Sequence, residues 1–362
     1  MKIDFRPAKL LLPLLLCLLF AACNRDKPIP PIAPLEGYTT TKQYPGNVGD
    51  ESLEDWKKEL KDIEVVQIKS TMDGKVEPAL FYESKSSRKK PLLVVLHSWS
   101  SGYLQVPSIP FALWAEKYDW AFIQPNYRGV FEHPEAMASD MAVQDIVDAV
   151  DYAMQHADID SSRVYLVGSS GGAMTALVTA SRHPELWAGV AAWVPVFDIP
   201  EWYDFNLYYP HRKYNKQIIA ALGGEPLPGT PAEEEGKKRS PSTQVHQAKE
   251  VPIFLAHGIN DLLVPPSHSI RAYNILAAPA DTISKEDMAY IVKEQAIPED
   301  MQGQADDPYF GASDPEVVFS RKSDNVKLVL YVGVHDMAYN ATLLWLNDQQ
   351  KPQPQPAVTQ AK

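Results

Sequence analysis

The residues best suited to chemistry are Gly168-Ser169-Ser170-Gly171-Gly172, a G-x-S-x-G pattern placed after the apolar run 164–167 and before a helical stretch. A serine on a tight turn between a buried strand and a helix is held outward, and flanking glycines let the two backbones approach closely. The chemistry is attack of the Ser170 hydroxyl on a carbonyl carbon, with the positive end of the following helix facing the developing oxyanion. The competing reading is a tight turn with no catalytic part. A serine hydroxyl is a weak nucleophile at neutral pH and needs a base, which in turn needs an orienting acid. Two later segments supply them. Residues 251–265 form an apolar run ending in a turn with Asp261, and residues 327–332 form another, followed by His335. Asp198 is a rival acid, and Asp336, adjacent to His335, is expected to point elsewhere. His97 and His257 are expected to hold loops, and His268 to line a helix. The second oxyanion donor belongs in the loop after an early strand, so the candidate N–H groups are those of Gly171 and Trp99.

These side chains must be positioned by the elements before them. Residues 92–96, 120–124, 164–167, 190–194, 253–256 and 326–332 are short continuous apolar runs, as expected of strands buried on both faces. Helical spacing fills 137–155, 172–181, 267–276 and 338–346. Strand and helix alternate, which predicts a doubly wound, mostly parallel α/β sheet with helices on both faces. Segments 65–69 and 77–83 are expected as an antiparallel pair at its edge. Open sheets of this kind present their chemistry at the strand C-termini, where Trp99, Ser170, Asp261 and His335 fall. The order serine, acid, histidine is the one used by the α/β-hydrolase fold.

Four blocks of the chain resemble the catalytic domain of the prolyl oligopeptidase family of serine hydrolases. They are Asn126-Tyr127-Arg128-Gly129, Gly168-Ser169-Ser170-Gly171-Gly172, the stretch from Pro252 to an Asp-x-x-Val-Pro turn at Pro265, and the last strand with His335. The resemblance covers about residues 60–347. It implies the triad Ser170, Asp261 and His335, and a structural role for Arg128 through buried hydrogen bonds. The chain departs from the family in three ways. The large N-terminal propeller of the full-length peptidases is not found. The loop from His97 reads His-Ser-Trp-Ser where His-Gly-Gly-Pro is frequent. The acid and the histidine are far apart, with a polar stretch over 279–324 between them, and long inserts beside an active site are often lids.

The chain has 362 residues and is 45% hydrophobic, enough for one large catalytic domain, expected over 51–348. With 34 basic and 46 acidic side chains its net charge of −12 argues against nucleic acid as a partner. Lys2, Arg6 and Lys9 precede an apolar run over 10–20, shorter than the roughly 20 residues of a spanning helix. Residues 1–22 therefore read as an export signal. Phe20-Ala21-Ala22-Cys23 resembles a bacterial lipobox, which would acylate Cys23 and anchor the protein to a membrane, facing the periplasm or the cell exterior. The other reading is ordinary signal cleavage with a free Cys23. Cys17 is the only other cysteine and lies inside the signal, so the exported chain holds no disulfide. Proline-rich segments at 23–50 and 349–362 read as a tether and a disordered tail.

No clustered cysteine and histidine spacing points to a metal, and no cofactor is expected. The expected substrate is a small ester, foremost an acyl or methyl ester on carbohydrate. The alternatives are a short peptide, or a binding protein on a catalytically silent scaffold. An aromatic-rich insert over 202–211 offers Trp202, Tyr203 and Tyr208 as candidate substrate contacts, or as packing for a lid.

Overall fold

The computed structural model describes residues 26, 28–41, 51–311 and 315–352. Residues 1–22 and Cys23 lie outside the described residues.

Nine strands form one sheet: β1 Glu64–Lys69, β2 Val76–Tyr82, β3 Lys90–Leu96, β4 Ala121–Pro125, β5 Ile159–Ser169, β6 Gly189–Trp193, β7 Ile253–Gly258, β8 Val317–Ser323 and β9 Val326–Tyr331. Their order is β1-β2-β4-β3-β5-β6-β7-β9-β8. The six inner strands run parallel. The edges are antiparallel: β1 and β2 on one side, as expected, and β8 on the other.

The parallel strands carry no polar face because each is covered twice. Leu92, Val94, Leu166, Val190, Leu255 and Leu328 point into one apolar layer. Their neighbours Leu93, Val95, Tyr165, Val167, Ala191, Phe254 and Val329 point into the other. This is the strand period of two read out as two cores. The helices are α1 Leu53–Glu59, α2 Ile109–Tyr118, α3 Asp140–His156, α4 Gly171–Arg182, α5 Ile199–Leu207, α6 Tyr214–Leu222, α7 Pro231–Lys238, α8 Ser267–Leu276, α9 Lys285–Glu294 and α10 Tyr339–Asn347. Residues of α3, α4 and α8 fill the first layer, and those of α1, α2 and α10 the second.

The expected helix from residue 137 starts at Asp140. Met137 and Ala138 have positive φ, and the Ser139 hydroxyl accepts from the N–H of Ala142 to cap the first turn. The insert over 279–324 contributes α9, packed on α8, and then β8, which pairs along β9. Its two largest pieces extend the sheet and its helical layer. The aromatic-rich stretch becomes α5, capped by the Asp198 carboxylate on the N–H of Glu201.

Residues 28–41, whose composition reads as a tether, lie against the domain. Ala33 exchanges two hydrogen bonds with the Tyr118 hydroxyl, and Thr40 forms an antiparallel bridge with Ala338.

Candidate active site

Ser170 lies between β5 and α4 with φ 57° and ψ −121°, a strained conformation for a residue with a Cβ. Its N–H is fixed on the carbonyl of Trp193 at 2.9 Å. The flanking glycines are required by contact. A Cβ on Gly168 would collide with the backbone of Gly172, and one on Gly172 would stand 2.6 Å from the His97 carbonyl oxygen. Strand β3, helix α4 and the turn thus touch backbone to backbone, with the serine 8% exposed at the crossing.

Asp261 sits past the end of β7 and is 3% exposed. Its Oδ1 accepts from the N–H groups of Leu263 at 2.8 Å and Val264 at 3.0 Å. Its Oδ2 accepts from His335 Nδ1 at 2.6 Å and lies 3.2 Å from His257 Nε2. Burial works to raise the carboxyl's pKa, but the charge of His335 and the donors around it prevail and hold the group well below the usual carboxylate range. His257 Nε2 also faces the Val264 carbonyl at 2.8 Å, and a carbonyl only accepts, so Nε2 carries a proton and is a donor towards Asp261.

His335 lies between β9 and α10. Its Nδ1 is taken by Asp261, while its buried Nε2 has no partner among the described residues. A ring held by one nitrogen with a bare second nitrogen can accept a proton there, although among the described residues no hydroxyl, Ser170 Oγ included, is hydrogen-bonded to Nε2. The loop is pressed close to β7: a Cβ on Gly258 would collide with the carbonyls of Gly333 and Val334, and Asn260 N–H donates to the Gly333 carbonyl at 3.0 Å.

The rival acid Asp198 and the helix-lining His268 are both placed elsewhere. The Asp198 carboxylate caps α5 and accepts from the Ser242 hydroxyl at 2.7 Å. His268 Nδ1 accepts from the N–H of Phe197, and burial lowers its pKa to about 3. His97, buried and lowered to about 4 chiefly by desolvation, reaches the carbonyls of Ser98 and Asn126 and stacks on Tyr127. It fixes the loop that carries Trp99.

The N–H of Trp99 borders the serine turn. A Cβ on Gly171 would stand 3.0 Å from Trp99 N and 3.0 Å from Phe131 Cε2. Among the described residues neither Trp99 nor Gly171 gives its N–H to an acceptor. The Trp99 carbonyl accepts from the N–H of Phe131 at 3.0 Å, and its indole donates to Gln217 Oε1 at 3.1 Å. Phe131, Trp202 and Tyr214 surround that indole at ring separations of 5.2, 4.9 and 6.1 Å.

This packing changes the picture for the aromatic candidates. Trp202 and Tyr203 are 1% and 2% exposed, because α5 turns them into the core. The Trp202 indole donates to the Leu263 carbonyl at 3.0 Å, tying the Trp99 loop to the acid's turn. Tyr208, at 84% exposed, is the one of the three left open to solvent. Tyr214, Gln217 and Phe131 were not singled out from the sequence; α6 places the first two three residues apart, on one face, a spacing legible only once the helix is known.

Arg128 is buried in the network that its motif implies. It holds Asp145 through Nε at 2.6 Å and Nη2 at 3.0 Å, Asp73 through Nη1 at 2.8 Å and Nη2 at 3.1 Å, and the Ser70 hydroxyl. Asp73 is drawn down by the guanidinium, whereas burial leaves the Asp145 carboxyl raised.

Among curated proteins, a stretch of 246 residues is 26% identical to acylamino-acid-releasing enzyme 1 of Oryza sativa subsp. japonica, covering 62% of this chain and 29% of that one. A stretch of 140 residues is 28% identical to the acetyl esterase Axe7A of Xylanibacter ruminicola, covering 38% and 29%. The chain spans under a third of the length of both relatives. Among solved structures, the acylaminoacyl peptidase of Pyrococcus horikoshii superposes with a TM-score of 0.46 at 18% identity, over 59% of this chain and 34% of that one. Residues 112–294 match the prolyl oligopeptidase family. That span contains Ser170 and Asp261, with His335 and Trp99 outside it. On this match, and on the sheet and serine turn described above, the chain belongs to the prolyl oligopeptidase family and is a serine hydrolase of the α/β-hydrolase fold.

Proposed function

We propose that the chain hydrolyses small esters, foremost acyl or methyl esters on carbohydrate outside the cytoplasm, through an acyl-enzyme on Ser170. The observation that carries this reading is His335, held by Asp261 at Nδ1 and left with a bare, buried Nε2. His335 Nε2 takes the Ser170 proton as Oγ attacks the ester carbonyl carbon. The N–H groups of Gly171 and Trp99 receive the oxyanion. The tetrahedral intermediate collapses, the C–O bond to the alcohol breaks, and His335 returns the proton to the leaving oxygen. Water repeats the sequence in reverse and frees the acid. Asp261 keeps Nδ1 protonated and stabilises the imidazolium that forms in both halves.

The Phe131 ring and the Trp99 backbone crowd the oxyanion side of the turn, which favours a small acyl group, and the similarity to an acetyl esterase supports it. Cleavage of short peptides is the second reading, favoured by the similarity to an acylamino-acid-releasing enzyme. The lipobox-like Phe20-Ala21-Ala22-Cys23 supports a lipid anchor at Cys23 and a place on an exported membrane face. Purified residues 24–362 and Ser170→Ala, assayed on short-chain p-nitrophenyl esters and on aminoacyl anilides, test the assignment. Ester turnover lost in the variant with anilides untouched is the expected result. Faster anilide cleavage selects the peptidase, and an unchanged rate in Ser170→Ala removes Ser170 from the mechanism.

A further inference from the structure

The loop that carries His335 is held on its two sides by different parts of the chain. Upstream, Gly333 and Val334 lie against β7, as described. Downstream, Met337, Ala338 and Tyr339 are buried, and their backbone partners come from residues 39–41, nearly 300 positions earlier. Thr41 N–H donates to the Met337 carbonyl at 2.9 Å, and Met337 N–H donates back to the Thr41 hydroxyl at 3.1 Å. Tyr339 N–H donates to the Thr39 carbonyl at 3.1 Å. Asn340 closes the attachment: its Oδ1 accepts from Leu35 N–H at 2.7 Å, and its Nδ2 donates to the carbonyls of Leu35 and Tyr38 at 3.2 and 2.9 Å.

We propose that residues 33–41 are a positioning strap for His335, with Thr41 and Asn340 as its fastenings. This rests on the reading of His335 as the general base. Met337 is two residues from His335, so a strap that leaves strips the loop of partners just beyond the histidine. Buried backbone groups are rarely left unpaired, and the loop would rearrange to find new partners. A base displaced by about 1 Å can lose about a hundredfold in rate. The strap lies in the segment that follows the proposed lipid attachment at Cys23, so the anchored end of the chain also sets the geometry of the site.

The test compares Thr41→Val, Thr41→Ser and Asn340→Ala with wild type on a p-nitrophenyl ester, with kcat referred to sites titrated by a fluorophosphonate probe. Valine keeps the shape of threonine and removes the acceptor for Met337 N–H, while serine keeps the hydroxyl. The expected result is kcat down about tenfold in Thr41→Val and up to about a hundredfold in Asn340→Ala, KM within about twofold, and Thr41→Ser near wild type. A purely structural role would lower the number of titrated sites and leave kcat per site unchanged, which overturns the proposal. So does an equal loss in Thr41→Ser and Thr41→Val. If Asn340→Ala does not fold, the two Thr41 variants decide alone. Failure of the underlying reading shows differently, as undiminished turnover in His335→Ala or Ser170→Ala.

Discussion

Replacing Asp261 with asparagine tests the site at the atom level, because all four donors around the carboxylate are known. Leu263 and Val264 N–H face Oδ1, and His335 Nδ1 and His257 Nε2 face Oδ2. An asparagine must turn its NH2 group to one side or the other. Turned towards Leu263 and Val264, it sets donors against two backbone donors and leaves both unsatisfied, at about 1–3 kcal/mol each. Turned towards His335, it opposes His257 at the longer distance of 3.2 Å, and His257 keeps the Val264 carbonyl. The second arrangement is favoured, and it gives His335 Nδ1 a donor to accept. The ring then carries its proton on Nε2, where the serine's proton should go. The expected result is a fall in kcat of about 10⁴, or about 5 kcal/mol of transition-state stabilisation at about 1.4 kcal/mol per tenfold, with KM little changed. The assay is ester turnover at saturating substrate, with the unfolding midpoint measured beside it. Activity within about tenfold of wild type in Asp261→Asn, together with its loss in Asp198→Ala, would refute the reasoning and move the acid to the α5 cap.

The other predictions concern stability and substrate contact. Arg128→Met leaves Asp145 buried without its bidentate partner, so unfolding stability should fall by about 3–5 kcal/mol, read as a lower thermal midpoint; an unchanged midpoint would show that water replaces the guanidinium. His97 and His268 are buried with pKa values lowered to about 4 and about 3, so the unfolded chain binds more protons below its ordinary histidine value of about 6.5. Their stabilisation is complete above that pH and drains away as pH falls towards 4. His268→Gln should flatten the denaturation midpoint against pH by up to about 1.4 kcal/mol per unit over that window. Asp261 has the depressed carboxylate sign, so its contribution is present above about pH 4 and is lost below it. Tyr208→Ala should leave turnover of a p-nitrophenyl ester unchanged and raise KM only on a polymeric substrate; no change on either removes Tyr208 from the substrate's path.

The sheet was legible because parallel strands buried on both faces are continuous apolar runs, and those around residues 92, 164, 190, 253 and 326 all became strands. Strand β8 was missed. It is an edge strand carrying Ser320, Arg321 and Lys322, and a half-solvated strand has no continuous apolar signal to read. The serine turn could be read because its glycines are demanded by close backbone contact, Gly168 against Gly172 and Gly172 against the His97 carbonyl. The pairing of Asp261 with His335 was expected from their place after two late strands, whereas the second histidine at the carboxylate, His257, was not, since it meets Asp261 only through the turn's own fold. The aromatic insert shows the opposite limit. Composition marks Trp202 and Tyr203 as interesting, yet α5 sends both rings into the core and leaves Tyr208 outside. The proline-rich 28–41 stretch reads as a tether because its contacts, mostly its own backbone groups meeting Tyr118, Asn340 and residues 337–339, arise only through tertiary folding and leave no periodic side-chain pattern.

The contacts around Trp99 show what a tryptophan does in the loop after β3, whatever its N–H contributes to the proposed chemistry. The N–H that faces the serine turn needs only backbone, so the side chain at 99 is free to take another task. Here the indole is anchored at its nitrogen by Gln217 of α6 and packed against Trp202 of α5, whose own indole is anchored on Leu263 beside the acid. The same two rings therefore join three separately folded pieces: the loop after β3, the helical insert after β6 and the turn after β7. Each carries or braces one part of the site, and none is adjacent to another in sequence. A large ring is costly to displace from such packing, at about 3–5 kcal/mol on truncation to alanine. The loop gains from it the rigidity that the proposed oxyanion donor would need, since a preorganised N–H contributes most when nothing must reorganise as charge develops.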